Sequence, residues 1–85
     1  MSAYRIEFRP AALRELRILD RSVQPRIQGA MALLAQDPRP PASRPLRGRE
    51  GYRLRVGDYR LIYTIDHGIL RIVIVTIGHC HDVYQ

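Results

Sequence analysis

The chain has no lysine and a single cysteine, Cys80. It has no apolar run approaching the ~20 residues that a membrane-spanning helix needs. Each absence narrows the chemistry. Without lysine, all 14 Lys/Arg cations are arginine. Arginine holds its charge at any working pH and cannot serve as a general base there, as a desolvated lysine could. One cysteine rules out an internal disulfide and fits a reducing compartment. The N-terminus is charged from Arg5 onward, so it does not read as a signal peptide. No repeat and no low-complexity tract is present.

What remains is 85 residues, 46% hydrophobic and 26% charged, which is the composition of one small soluble domain with a thin core. The net charge of +6 and a pI near 10.4 make nucleic acid the leading class of partner, and an acidic protein the other.

Along the chain, residues 3–9 alternate as a first strand, with Tyr4, Ile6 and Phe8 on one face. Pro10 suits the first turn of a helix over 10–20, in which Ala12, Leu13, Leu16 and Leu19 make the apolar stripe and Arg14, Glu15 and Arg17 face water. Ser22 is the expected N-cap of a second helix ending near Gln36. Its residues Val23, Ile27, Ala30, Met31 and Leu34 carry the strongest helical period in the sequence. Residues 37–50 hold four prolines and four arginines and read as a basic, semi-stiff loop. Arg39 and Arg44 are expected to be solvated there, whereas Leu46-Arg47-Gly48 is expected to be pinned by its one large apolar side chain.

Residues 51–63, GYRLRVGDYRLIY, read as a hairpin. Tyr52, Leu54 and Val56 point one way, Arg53 and Arg55 the other. Gly57 at the first turn position suits a two-residue type II′ turn, which requires a positive φ there. Folding about it sets Arg55 opposite Arg60 and Arg53 opposite Ile62. Like charges directly opposed across a sheet are destabilising, so three arginines on one face suggest an anion held between them. The alternative is a solvated face with the guanidinium groups splayed into water. A second tight turn at His67-Gly68 leads into ILRIVIVTI over 69–77. Leu70, Ile72 and Ile74 are expected on one face of that strand, and Val73, Val75 and Ile77 on the other. With both helices on one side, the opposite face would show an apolar patch suited to a protein partner.

The tail, residues 78–85, packs His79, Cys80, His81, Asp82 and Tyr84 together in sequence. Metal binding is disfavoured, because His-Cys-His in succession is not a usual zinc spacing and no second ligand pair exists. A Cys80 nucleophile with a histidine base is disfavoured too, since adjacent residues on an extended segment point apart.

Leu46-Arg47-Gly48, the hairpin at 51–63 and the tail GHCHDVY at 78–84 together resemble the RelE/ParE toxin superfamily, in particular its RelE-like mRNA interferases. The likeness spans nearly the whole chain, 1–85, as one toxin domain. It implies an α+β fold: a small, mostly antiparallel four-stranded sheet in the order β-α-α-β-β-β, with a helical hairpin packed on one face. It implies a cytoplasmic toxin of a type II toxin–antitoxin system with no cofactor, no metal and no membrane partner. The cognate antitoxin wraps it, and operator DNA is reached only through that complex. RelE-like toxins enter the ribosomal A site and cut mRNA there, the 2′-OH attacking the adjacent phosphate.

By the same resemblance, Arg53 and Arg55 fall where better-known members carry lysines, Arg60 on the family's hairpin arginine, and Tyr84 on its late tyrosine. Arg47 and Arg49 join Arg53, Arg55 and Arg60 as RNA-binding residues. His79, His81 and Tyr84 are the groups left to move a proton, since no lysine can. Most relatives read Gly-His-Arg or Gly-Lys-Arg where this sequence has Gly78-His79-Cys80, so the resemblance implies that one phosphate-stabilising charge is missing. Loss of such a contact typically costs 10²–10³ in rate. The chain closing at Gln85 implies no C-terminal helix of the kind some members carry. Two other functions are compatible with the resemblance. One is a catalytically weak toxin acting mainly through antitoxin and operator binding. The other is a ParE-like gyrase inhibitor.

Overall fold

The computed structural model describes residues 3–79. The elements run β1 (Arg5–Phe8), α1 (Pro10–Arg17), α2 (Gln24–Gln36), β2 (Ser43–Pro45), β3 (Tyr52–Val56), β4 (Tyr59–Asp66) and β5 (Arg71–His79). The sheet order is β1-β5-β4-β3-β2. The expected α+β class and helical hairpin on one face are present, but the sheet has five strands and is mixed. β1 runs parallel to β5, and every other pair is antiparallel.

The unexpected strand, β2, lies inside the proline-rich segment. Three residues are too few for an alternation pattern to show. Pro45 is tolerated because β2 is an edge, where a missing N–H costs no ladder bond. Ser43 ties the segment to itself through its backbone N–H and its Oγ, both donating to the Pro40 carbonyl at 2.9 Å. Leu46 is held by its backbone rather than by its side chain: its N–H donates to the Gly51 carbonyl at 2.9 Å, the side chain is half-buried outside the core, and Arg47 and Gly48 are exposed.

The core lies between the helices and one face of the sheet. Ala12, Ile27, Met31, Leu34, Leu54, Leu61, Tyr63, Ile72, Ile74 and Ile77 are buried there. The α2 positions keep the i, i+4, i+7 spacing that the sequence shows. On α1 the buried stripe is Ala12 and Leu16, continued by Leu19, while Leu13 lies outside the cluster. Ser22 is not the cap of α2. That position falls to Val23, which has no side-chain cap, because a turn over 21–23 precedes the helix and Gln24 Nε2 donates instead to the Leu19 carbonyl. The β4–β5 connection is a four-residue turn rather than a tight His67-Gly68 pair. Asp66 Oδ1 accepts from the Gly68 and Ile69 N–H groups, and Leu70 adopts a φ of 53°.

β5 is not a uniform strand. Its register against β4 slips between Ile62↔Thr76 and Tyr63↔Ile74, so Val75 is an extra residue, a β-bulge. The slip turns Ile77 onto the helix face with Ile72 and Ile74. It therefore removes Ile77 from the apolar patch expected on the far side. Glu15, expected in water, is half-buried and bonded to the Ile77 N–H at 2.8 Å. No helix among the described residues is long and apolar enough to cross a membrane.

Candidate nucleic-acid interface

The hairpin closes with Val56 opposite Tyr59, Arg55 opposite Arg60, Leu54 opposite Leu61, Arg53 opposite Ile62 and Tyr52 opposite Tyr63. Gly57 has φ +61°, and Asp58 has no positive φ, as a type II′ turn requires. Strand alternation then sorts the side chains. Leu54, Leu61 and Tyr63 enter the core, and Arg53, Arg55 and Arg60 occupy the face that the helices leave uncovered.

Two cross-strand rows result on that face. The first is Arg55–Arg60–Gly78, and the second is Arg44–Arg53–Ile62–Thr76. Ile62 is only 5% exposed and forms an apolar floor between Arg53 and Thr76. Arg55 is exposed, and its Nε donates to the Gly57 carbonyl at 2.8 Å, which folds the side chain along its own hairpin. One of its five N–H donors is thereby used, leaving the rest of the planar fork for an oxyanion.

Arg26 of α2 comes up to the same turn from the helix side. A β-carbon on Gly57 would sit 3.0 Å from its Nη2. The hairpin tip thus gathers cations from both sides of the sheet. Sequence reading missed Arg26, which no local pattern links to residue 57. Arg44 is exposed, as expected; what the sequence does not show is β2, which sets Arg44 opposite Arg53.

The other expected site residues are distributed as follows. Register places His79 opposite Tyr59, on the side of Val56 rather than of Arg60, and the two rings meet edge to face at 5.4 Å. Arg47 and Arg49 are exposed in the bends before β3, at the far end of that strand from Gly57. Arg49 lines a depression of about 350 Å³ together with Glu50, Tyr52 and His67. His67 is itself held by the Tyr4 hydroxyl at 2.9 Å. Cys80, His81 and Tyr84 lie outside the described residues. Among the described residues no group of three histidine, cysteine or carboxylate side chains could hold a metal ion.

Comparison with known proteins places this geometry. The family model for the ParE toxin of the type II toxin–antitoxin system parDE matches residues 6–84. None of the curated proteins compared with the chain matches it. Among solved structures, a chain of the intact E. coli RelBE toxin–antitoxin complex is 29% identical, with a TM-score of 0.79 over 91% of this chain and 96% of that one. The isolated E. coli RelE toxin is 26% identical, with a TM-score of 0.81 over 91% and 84%. The RelBE2 toxin–antitoxin complex of Mycobacterium tuberculosis gives 31% identity and a TM-score of 0.71 over 91% and 98%. A match over nearly the whole chain, on a fold shared with RelE, means that this protein belongs to the ParE toxin family of type II toxin–antitoxin systems, within the RelE/ParE superfamily.

Proposed function

We propose that the protein is a RelE-like endoribonuclease that cuts mRNA in the ribosomal A site. The carrying observation is the Arg55–Arg60 pair: two guanidinium side chains directly opposed on the open face, with Arg53 beside them. Like charges so opposed cost a sheet stability, and the planar donors of two arginines match a phosphodiester. In the reaction the 2′-OH attacks the adjacent phosphorus. The O2′–P bond forms as the P–O5′ bond breaks, leaving a 2′,3′-cyclic phosphate and a 5′-OH. The arginines stabilise the added charge on the phosphorane, a contribution of the kind worth about 3–4 kcal/mol per preorganised donor. Arginine cannot take the 2′-OH proton. That role falls to His81 or Tyr84, brought within reach of the Arg55–Arg60 pair, because His79 stands with Val56 and Tyr59 on the other face of the sheet.

The protein works in the cytoplasm and needs no cofactor. Its partner is a cognate antitoxin, as RelB is for RelE in the complexes it resembles, and operator DNA is engaged through that complex. A second reading, inhibition of gyrase, is favoured by one observation, that the matching family model is that of ParE. Primer extension on a cellular transcript after induction decides between them. Cleavage with arrested translation, relieved by the co-expressed neighbouring gene, is expected. DNA damage and filamentation with intact transcripts would assign the gyrase reading instead.

A further inference from the structure

Among the described residues the sheet contains three directly opposed arginine pairs: Arg5–Arg71 between β1 and β5, Arg55–Arg60 between β3 and β4, and Arg44–Arg53 between β2 and β3. The first is neutralised within the fold. Glu7 lies 3.8 Å from Arg5 and 3.5 Å from Arg71, so one carboxylate serves both cations. The Arg44–Arg53 pair has no such carboxylate. Among the described residues neither side chain makes an ion pair, although both stand on the open face one row from Arg55 and Arg60. Among the described residues the like-charge problem is thus met by a glutamate at one end of the sheet and by no carboxylate at the other.

Arg44 is also held in place. Its Nη1 donates to the carbonyls of Pro41 at 2.7 Å and Ser43 at 2.8 Å, on a segment anchored by the Tyr63 hydroxyl donating to the Pro38 carbonyl at 2.7 Å. Three of the five guanidinium N–H donors remain for a ligand. A restrained, exposed cation opposite a second cation is a binding element rather than a solubilising one.

We infer that Arg44 and Arg53 form a second phosphate subsite, which holds the backbone phosphate next to the one at Arg55–Arg60, so that single-stranded RNA lies across β2, β3 and β4. The two rows are two residues apart along β3, about 6.8 Å, and neighbouring strands stand about 4.8 Å apart; the buried Ile62 continues the Arg44–Arg53 row as its apolar floor. This inference rests on the ribonuclease reading, and its test keeps the two separable.

The probe is a single-stranded RNA oligonucleotide methylated at every 2′-oxygen, so that it binds without being cut. Affinity is measured from 50 to 300 mM salt for the parent, Arg44→Ala, Arg44→Lys and Arg55→Ala. Arg44→Ala is expected to flatten the slope of log K against log salt by about 0.7, one single-strand phosphate contact. Arg44→Lys keeps the charge and should restore the slope, which a loop merely disordered by the substitution would not do. Replacing one phosphate with a neutral methylphosphonate, stepped along the strand, should locate a position that weakens binding to the parent but not to Arg44→Ala. A slope changed by Arg55→Ala but not by Arg44→Ala overturns the second subsite and leaves the ribonuclease reading standing. A slope unchanged in both overturns both.

Discussion

The carboxylate of Glu15 on α1 accepts a hydrogen bond from the backbone N–H of Ile77 on β5, at 2.8 Å and across 62 positions of sequence. β1 ends its pairing with β5 at Phe8↔Ile74, so beyond that point β5 is an edge, and α1 supplies the acceptor that a strand would have supplied. Replacing Glu15 with alanine strands a part-buried donor, which costs about 1–3 kcal/mol. Glu15→Gln keeps an acceptor oxygen and should cost less. The midpoint of urea unfolding gives the cost, and amide exchange at Ile77 gives its location. Equal stability and unchanged exchange in Glu15→Ala would mean that water replaces the carboxylate without loss. The two residues after Ile77, Gly78 and His79, lead in sequence toward Tyr84, a residue of the proposed site.

Gly57 is fixed by conformation more than by space. Its φ of +61° is a region that an L side chain enters at a cost of about 1–2 kcal/mol. The crowding atom, Arg26 Nη2 at 3.0 Å from an added β-carbon, is the free end of a flexible side chain and can move. Gly57→Ala should therefore destabilise by about that backbone cost, while Gly57→Asn, better tolerated in the left-handed region, should lose less. If both variants matched the parent in unfolding midpoint, the turn would not be what holds the Arg55–Arg60 register.

Tyr63 is fully buried, and burial pushes its phenol above the ordinary tyrosine value near 10, although a hydrogen bond with Ser43 opposes the shift. The folded state then holds the phenolic proton more tightly than the unfolded chain. Its contribution to stability is complete below about pH 10 and is lost as the pH rises past that value. Tyr63→Phe removes this dependence along with the hydrogen bond to the Pro38 carbonyl, a loss of about 1 kcal/mol at neutral pH. The difference in stability between the two proteins should shrink from pH 9 to pH 11. A constant difference would place the Tyr63 ionisation outside the folding equilibrium.

The parts of the fold visible in sequence were those written in a regular period. Alternation at Tyr52, Leu54 and Val56, together with Gly57, suffices to set the β3–β4 register and with it the arginine face. The Ile27, Met31, Leu34 spacing suffices for α2. The parts not visible depend on contacts between distant residues. The bulge at Val75 breaks no local rule, because valine is as good a strand former before the slip as after it. It shows only when β5 is laid against β4, and it moves Ile77 to the other face. Glu15 reads as a surface residue because a helical wheel ranks it by polarity and cannot include an unpaired N–H on β5. β2 is three residues long and ends in proline, and Arg44 inherits its place in the second row only from that strand.

The tail offers the most direct functional test. By its resemblance to RelE-like toxins, Cys80 falls at a position where most relatives are expected to carry an arginine, two residues after Gly78, which lies opposite Arg60. The scissile phosphate gains negative charge in the transition state, and a guanidinium positioned beforehand stabilises that charge without reorganisation. Cys80→Arg should therefore raise the cleavage rate of ribosome-bound transcripts, by at most the roughly 10²–10³ that one such donor contributes. Cys80→Ala removes the thiol without adding charge and should leave the rate near that of the parent, which separates electrostatics from any chemistry of the sulfur. Tyr84→Phe, losing only the hydroxyl, should lower the rate of both the parent and Cys80→Arg. Single-turnover measurements on the four proteins provide the check. A Cys80→Arg rate equal to the parent's would show that this chain already supplies the charge from elsewhere, with Arg26 and Arg44 the first residues to test.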